Sequence, residues 1–150
     1  KKDPQVTSLL NKYDIVSTLK GILEGLDACQ SALTAFLESK RQGFPRLYFI
    51  GDFDLLEILG KVRENPNIVQ AHLKNLFQGI SSVEIDSENK VVAYLSSLGE
   101  KVYLPEPVFT TASVEMWLNE LCDKMQNSLV DLLNDYMHFQ LKNILLRSFK

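Results

Sequence analysis

Residues 40–59, which read KRQGFPRLYFIGDFDLLEIL, decide how the rest of the chain can fold. Gly43 and Pro45 end the preceding helical pattern, because proline lacks an amide donor and pushes the residue before it towards extended backbone. The aromatic run that follows is expected to be buried as a wedge, each ring removing on the order of 150–250 Å² from water. Its aromatic residues are Phe44, Tyr48 and Phe49. This stretch predicts a packing joint over residues 41–51.

The residues before the joint predict a long helix over residues 13–40. Apolar side chains recur there in alternating steps of four and three residues, which is an a/d seam over about three heptads. The seam consists of Ile15, Leu19, Ile22, Leu26, Cys29, Leu33 and Phe36. Val16, Leu23 and Leu37 widen this stripe, which favours packing against more than one neighbour over a free coiled coil.

Two short helices are predicted after the joint, over residues 52–81. Asp52 or Asp54 is expected to cap the first helix, because a carboxylate can accept from the free amides of a first turn. Asn65 is expected to cap the second helix, with Pro66 in its first turn, where a missing amide costs nothing.

A three-stranded antiparallel meander is predicted over residues 82–105, where β-prone runs alternate with turn residues. Pro105 and Pro107 are expected to end it, since neither can donate to a ladder. A second long helix is predicted over residues 113–147, from its heptad-like apolar spacing. Residues 1–150 are therefore interpreted as one fragment, mainly α with a small antiparallel β-meander, whose long helices form a bundle or stacked array.

Composition excludes several classes of protein. The chain is 45% hydrophobic and 23% charged, and no apolar run approaches the roughly 20 residues that cross a bilayer. A net charge of −3 with interspersed signs gives no reason to expect nucleic-acid or lipid binding. Because the first ten residues, KKDPQVTSLL, lack a continuous apolar region, no secretory signal is predicted and the chain is expected to be intracellular.

Cys29 and Cys122 are predicted to be core thiols; an inter-helix disulfide would need an oxidising compartment.

The sequence contains no recognisable catalytic, cofactor-binding or metal-binding motif, and none of these sites is predicted. His72 and His138 are far apart, and neither has a cysteine or second histidine nearby to complete a metal site. A small hydrolase could use the carboxylates of Asp52, Asp54 and Glu57. Helix capping and complementarity with the helix dipole explain them more simply.

Six residues are predicted to form a structural joint or interface: Phe44, Pro45, Arg46, Tyr48, Phe49 and Trp117. Arg46 is expected to clamp a carboxylate, because a charge in so apolar a stretch needs a partner. The alternative is a guanidinium stacked on Tyr48 or Phe44 with its head in water. Trp117 is expected to belong to the helix core packed over the sheet, with an interface anchor as the alternative.

The order of these motifs resembles the linker region of dynein heavy chains. LESKR at residues 37–41, GFPRLYF at 43–49 and DLLEILG at 54–60 match a family signature close to KRxxFPRFYF followed by LLEIL. The likeness covers residues 15–133. Leu47 departs from the family, which more often has an aromatic there, and so does Phe53, where a small or acidic residue is usual.

The resemblance implies a mechanical role. Dynein heavy chains are minus-end-directed microtubule motors with a ring of six AAA+ modules, and their linker is a mostly helical rod before the first module. It bends and straightens with the nucleotide cycle and carries the power stroke to the tail. This segment resembles the C-terminal part of that linker.

The resemblance also implies where ligands and partners belong. ATP and Mg would be bound by the AAA+ modules of the parent chain. The expected partners are neighbouring linker subdomains and the AAA+ ring, with microtubules bound only through the parent motor. The expected location is the cytoskeleton, with a cilium or axoneme preferred over the cytoplasm. The alternative function is a non-motor helical module whose heptad faces bind partner helices.

Overall fold

The computed structural model describes the backbone of residues 14–148 and the side chains of residues 14–142. The first ten residues and the predicted helix start at residue 13 lie outside this description. The elements in chain order are helix α1 (Ile15–Gly43), a 3₁₀ helix (Pro45–Phe49), α2 (Asp52–Lys61), a second 3₁₀ helix (Pro66–His72), α3 (Leu73–Leu76), β1 (Ile80–Ile85), β2 (Lys90–Ser96), β3 (Lys101–Phe109) and α4 (Val114–Ser148). The prediction of a mainly α fold with a small antiparallel β-meander is confirmed.

Packing divides the chain into two units, Lys1–Ser39 and Lys40–Lys150. In the first unit, the heptad stripe of α1 is exposed over much of its length, including Val16, Leu19, Ile22, Leu23, Leu26, Leu33 and Phe36. The predicted burial of Cys29 is wrong, because this thiol lies exposed along the same uncovered stripe. Both cysteines are free thiols, and Cys122 is half-buried.

The second unit has its core between the sheet and the first half of α4. The strands are ordered β1-β2-β3, and α4 packs on β3. Trp117, Leu118 and Leu121 of α4 are fully buried. A buried hydrogen bond of 3.1 Å between the hydroxyls of Tyr94 and Ser128 ties β2 to the same helix. The sheet is therefore anchored to α4 by both apolar and polar contacts.

The second half of α4 carries exposed apolar side chains on several sides, among them Leu129, Val130, Leu132, Leu133, Tyr136, Met137, Phe139 and Leu141. Among the described residues, no helix combines the length and apolar character needed to cross a membrane.

The two predicted helix caps have different outcomes. The prediction for Asn65 is confirmed, because its side chain accepts from the amide of Asn67 at 3.1 Å. The helix that follows, however, begins as a 3₁₀ helix. The prediction for Asp52 or Asp54 is wrong, because Gly51 is the N-cap of α2 and no side chain caps it. Both aspartates lie in the first turn, where they complement the helix dipole.

The expectation that Pro105 and Pro107 end the third strand is also wrong, because β3 continues to Phe109. The register explains how: Val91 pairs with Val108 and Ala93 with Tyr103, so one residue of β2 faces four residues of β3, 104–107. The prolines lie in this bulge on an edge strand, where a missing amide removes no ladder bond.

At the opposite edge of the sheet, a side chain pairs with the backbone of one residue of β1. The amide group of Gln70, from the second 3₁₀ helix, both donates to the carbonyl of Val83 and accepts from its backbone amide, the latter at 3.0 Å. The two groups of Val83 that a further strand would use are thus already paired.

Candidate functional site

The joint is built by the last turn of α1, the 3₁₀ helix Pro45–Phe49, and the starts of α2 and α4, all within the second unit. Pro45 occupies the first position of the 3₁₀ helix, where its fixed φ is favourable. Phe44, directly before it, is extended, with φ −141° and ψ 96°, as the residue before a proline prefers. The chain therefore changes direction where the sequence predicts that it should.

The apolar interior of the joint differs from the predicted aromatic wedge. Phe44, Leu47 and Ile50 are buried, and the Phe44 ring lies 6.1 Å from that of Phe77. The predicted burial of Tyr48 and Phe49 is wrong: they are 52% and 73% exposed. A 3₁₀ helix has three residues per turn, so side chains three positions apart share a face. The three-residue spacing of Phe44, Leu47 and Ile50 was the signal in the sequence for this buried face.

Arg46 reaches no carboxylate among the described residues, so the predicted clamp within this fragment is wrong, and a carboxylate of a neighbouring subdomain stays a prediction. Its Nη1 donates to the carbonyl of Leu76 at 2.8 Å, and its guanidinium lies 5.0 Å from the centre of the Phe77 ring. Leu76 is the last residue of α3, where carbonyl groups have no partner within the helix and the dipole is negative. The alternative was a guanidinium stacked on Tyr48 or Phe44. The guanidinium does lie over an aromatic ring, but that ring is Phe77.

The carboxylate clamp belongs to Arg41, a residue that the sequence analysis missed. Its Nη2 donates to Asp52 Oδ1 at 2.7 Å and to the carbonyl of Ile50 at 3.0 Å. Its guanidinium also lies 5.9 Å from the ring centre of Tyr48. Asp52 therefore holds the end of α1 instead of capping α2. A basic side chain in a last helical turn was the available signal.

A second ion pair joins the last turn of α1 to the first turn of α4. Lys40 Nζ lies 2.7 Å from Glu115 Oε1, and the two side chains are only 22% and 16% exposed. One turn further along α4, Asn119 Nδ2 donates to the carbonyl of Gly43 at 2.6 Å. This bond satisfies a carbonyl that the end of α1 would otherwise leave unpaired.

Gly43 allows the two helices to approach this closely. A Cβ atom at this position would lie 3.0 Å from Glu115 Cγ and 3.3 Å from its Cβ, which is closer than ordinary contact. Burial raises the pKa of the Glu115 carboxyl, but hydrogen bonds from Lys40, its own backbone and Ser113 outweigh this effect and lower the pKa below its ordinary value of 4.5. Glu115 is therefore held as a carboxylate.

Trp117, the remaining predicted residue, is fully buried. Its burial, and the packing of α4 on β3, support the core interpretation over that of an exposed anchor. Its indole Nε1 has no hydrogen-bond partner among the described residues.

The described side chains bring together no group of three or more histidine, cysteine or acidic residues that could hold a metal ion. Two of the three clustered carboxylates of α2 are engaged in ion pairs, Asp52 with Arg41 and Glu57 with Lys61. What the joint can do chemically is hold its four segments together through charge and shape.

Comparison with known proteins identifies the family. The model of the family described as "Dynein heavy chain, N-terminal region 2" matches residues 1–136. The chain belongs to the dynein heavy chain family. It is 48% identical over 136 residues to cytoplasmic dynein 2 heavy chain 1 of Mus musculus, and 46% identical over 132 residues to that of Caenorhabditis elegans. These alignments cover 90% and 87% of this chain.

Axonemal heavy chains are also similar. The chain is 41% identical over 113 residues, 74% of its length, to dynein axonemal heavy chain 5 of Rattus norvegicus. It spans only about 3% of the length of each of these dynein heavy chains. Of the two positions that depart from the dynein pattern, Leu47 is fully buried in the joint and Phe53 is 89% exposed.

Proposed function

We propose that this chain is a mechanical linker segment of a dynein heavy chain, which transmits nucleotide-dependent movement of an AAA+ ring to the tail of the motor. The observation that carries the proposal is the clamped end of α1. Lys40, Arg41 and Gly43 are held by Glu115, Asp52 and Asn119, on two different helices. A joint of this kind resists relative movement of the elements it connects, as a lever requires.

In this proposal the chemistry lies elsewhere in the parent protein. The AAA+ modules bind ATP and Mg and hydrolyse the nucleotide, and microtubules are bound by other parts of the heavy chain. The direct partners are neighbouring linker subdomains and the ring. The parent motor works on the cytoskeleton, in a cilium or axoneme or in the cytoplasm. The higher identity to cytoplasmic dynein 2 than to the axonemal chain, 48% against 41%, favours the cytoplasmic dynein 2 type.

The proposal is tested in the intact parent motor with the double variant Lys40→Met/Arg41→Met. This change removes both ion pairs of the joint while keeping most of the aliphatic volume. We expect microtubule gliding to slow severalfold, because force is lost at the joint, while microtubule-stimulated ATP hydrolysis continues. The matched control is Lys20→Met/Lys74→Met, which alters two exposed lysines outside the joint.

Two results would contradict the linker role. Gliding at the unmodified rate would mean that the joint carries no force. An equal loss of gliding and hydrolysis would assign the joint to the nucleotide cycle instead of to transmission.

A non-motor helical module is the second candidate, favoured by the exposed apolar stripe of α1. The two candidates differ in the parent polypeptide. A heavy chain of several hundred kilodaltons with repeated phosphate loops supports the motor, whereas a short parent without them supports the module.

A further inference from the structure

A groove lies between β3 and α4, on a part of the second unit that the joint does not use. It has a volume of about 370 Å³, and its apolar lining comes from Val102, Tyr103 and Pro105 on the strand and Leu132 on the helix. Tyr103 and Leu132 are at least half exposed, so both walls present apolar surface to solvent. The groove is therefore open to a side chain from outside the chain.

One rim of the groove is acidic. Asp131 and Asp135 lie one turn apart on α4, and both line the groove. Within residues 14–142 neither carboxylate has an ion pair or hydrogen bond. Like charges four residues apart on a helix repel each other. A cation placed between them would remove this repulsion.

The cation already present in the groove is engaged elsewhere. Lys101 forms an ion pair with Glu84, and its Nζ lies 4.7 Å from the ring centre of Tyr103. The strand wall is also fixed to the helix, because Lys124 of α4 donates to the carbonyl of Pro107 at 3.3 Å and approaches Glu106 at 3.5 Å. The groove is thus a preformed apolar slot with an unneutralised acidic rim.

We propose that this groove docks a segment of the same dynein heavy chain that lies outside these 150 residues and presents a lysine or arginine beside an apolar side chain. The aliphatic stem of the cation packs along Tyr103 and Leu132, and its charged head reaches Asp131 and Asp135. A segment of the same polypeptide is favoured because the chain spans only about 3% of its relatives, and tethering raises the effective concentration of their remaining segments. The inference rests on the part of the proposed function that places the direct partners in the same heavy chain, and it does not depend on force transmission.

The experiment uses the intact heavy chain with the photoreactive amino acid p-benzoylphenylalanine in place of Leu132. Mass spectrometry then identifies the cross-linked peptide. We expect a peptide of the same heavy chain, from outside residues 1–150, that contains a lysine or arginine next to an apolar residue. The yield should fall by about threefold or more with Asp131→Asn/Asp135→Asn, which is the size of effect that exposed ion pairs have.

Two comparisons make this result specific. Asp123→Asn, which removes an exposed carboxylate of α4 that does not line the groove, should leave the yield unchanged. Added salt should lower the yield without any substitution, because exposed charges are screened. The proposal is overturned by the absence of a cross-link, by a cross-link to a separate polypeptide, or by a yield that responds to neither the double substitution nor salt. A failure of the gliding test would leave all of these outcomes unaffected.

Discussion

Lys40 and Glu115 lie 75 positions apart in the sequence, and their side chains meet in a 2.7 Å ion pair that is mostly buried. The pair joins the last turn of α1 to the first turn of α4. The carbonyl of Gly43 and the amide group of Asn119 reinforce the same junction. Together these contacts make the end of one long helix dependent on the start of the other.

This ion pair predicts a pH dependence of stability. The pKa of Glu115 is lowered in the folded chain, so its contribution is present above its ordinary pKa of 4.5 and is lost as pH falls through the lower, folded value. Glu115→Gln should cost about 1.5–3 kcal/mol at neutral pH, as expected for a hydrogen bond to a charged group. Urea unfolding of both proteins, followed by fluorescence of the single tryptophan, Trp117, should show this difference disappearing at acidic pH. Glu24→Gln, an exposed change in α1, serves as control; a pH-independent cost for Glu115→Gln would contradict the prediction.

Phe44 should contribute more to stability than any exposed ring of the joint. Because it is 2% exposed, Phe44→Ala is expected to lower the free energy of unfolding by about 3–5 kcal/mol. Phe49→Ala, at a 73% exposed position, should cost less than about 0.5 kcal/mol. Urea unfolding of both variants tests this contrast, and a cost below about 1 kcal/mol for Phe44→Ala would contradict the observed packing.

Gly43→Ala should destabilise the chain although alanine favours helices. The added methyl group would press on the Glu115 side chain, and we expect a loss of about 1–3 kcal/mol from overpacking. At Gly25, also in α1, a Cβ would meet nothing within 4 Å, so Gly25→Ala should stabilise by about 0.4–1 kcal/mol. Opposite signs for the two substitutions in thermal unfolding are the expected result. Stabilisation by both would mean that the helices do not approach closely at Gly43.

Arg46→Lys should not be a conservative change. Lysine lacks the planar group that both donates to Leu76 and stacks on Phe77, so we expect a loss of about 1–2 kcal/mol in the free energy of unfolding. Arg63→Lys, at an exposed position after α2, is the matched control and should be nearly neutral. Equal stability of the two variants in urea would argue against the contact with α3.

Local patterns predicted much of the fold but assigned several side chains to the wrong places. The break at Gly43 and Pro45 followed from backbone chemistry, and so did the cap at Asn65. The role of Arg41 did not follow from local patterns, because its partner Asp52 lies on another element. The apolar residues around Arg46 favoured that arginine as the clamp instead. The strand bulge at residues 104–107 was missed because propensity rules treat proline as a terminator and cannot see the register of an edge strand.

Burial was predicted least well along α1. The heptad stripe of α1 correctly indicates a helix with an apolar face. Periodicity alone cannot say which polypeptide segment covers that face. Leu26 and Cys29, which belong to the predicted seam, are both exposed in the structure.

The paired amide of Gln70 has a consequence for self-association. On the β1 side it occupies the backbone amide and carbonyl of Val83, which a further strand would need, and on the β3 side the bulge and its prolines interrupt the ladder. Both edges are therefore poor templates for a further strand. Aggregation of the isolated chain should begin at the exposed apolar surfaces of its helices, and the meander should not form cross-β fibrils.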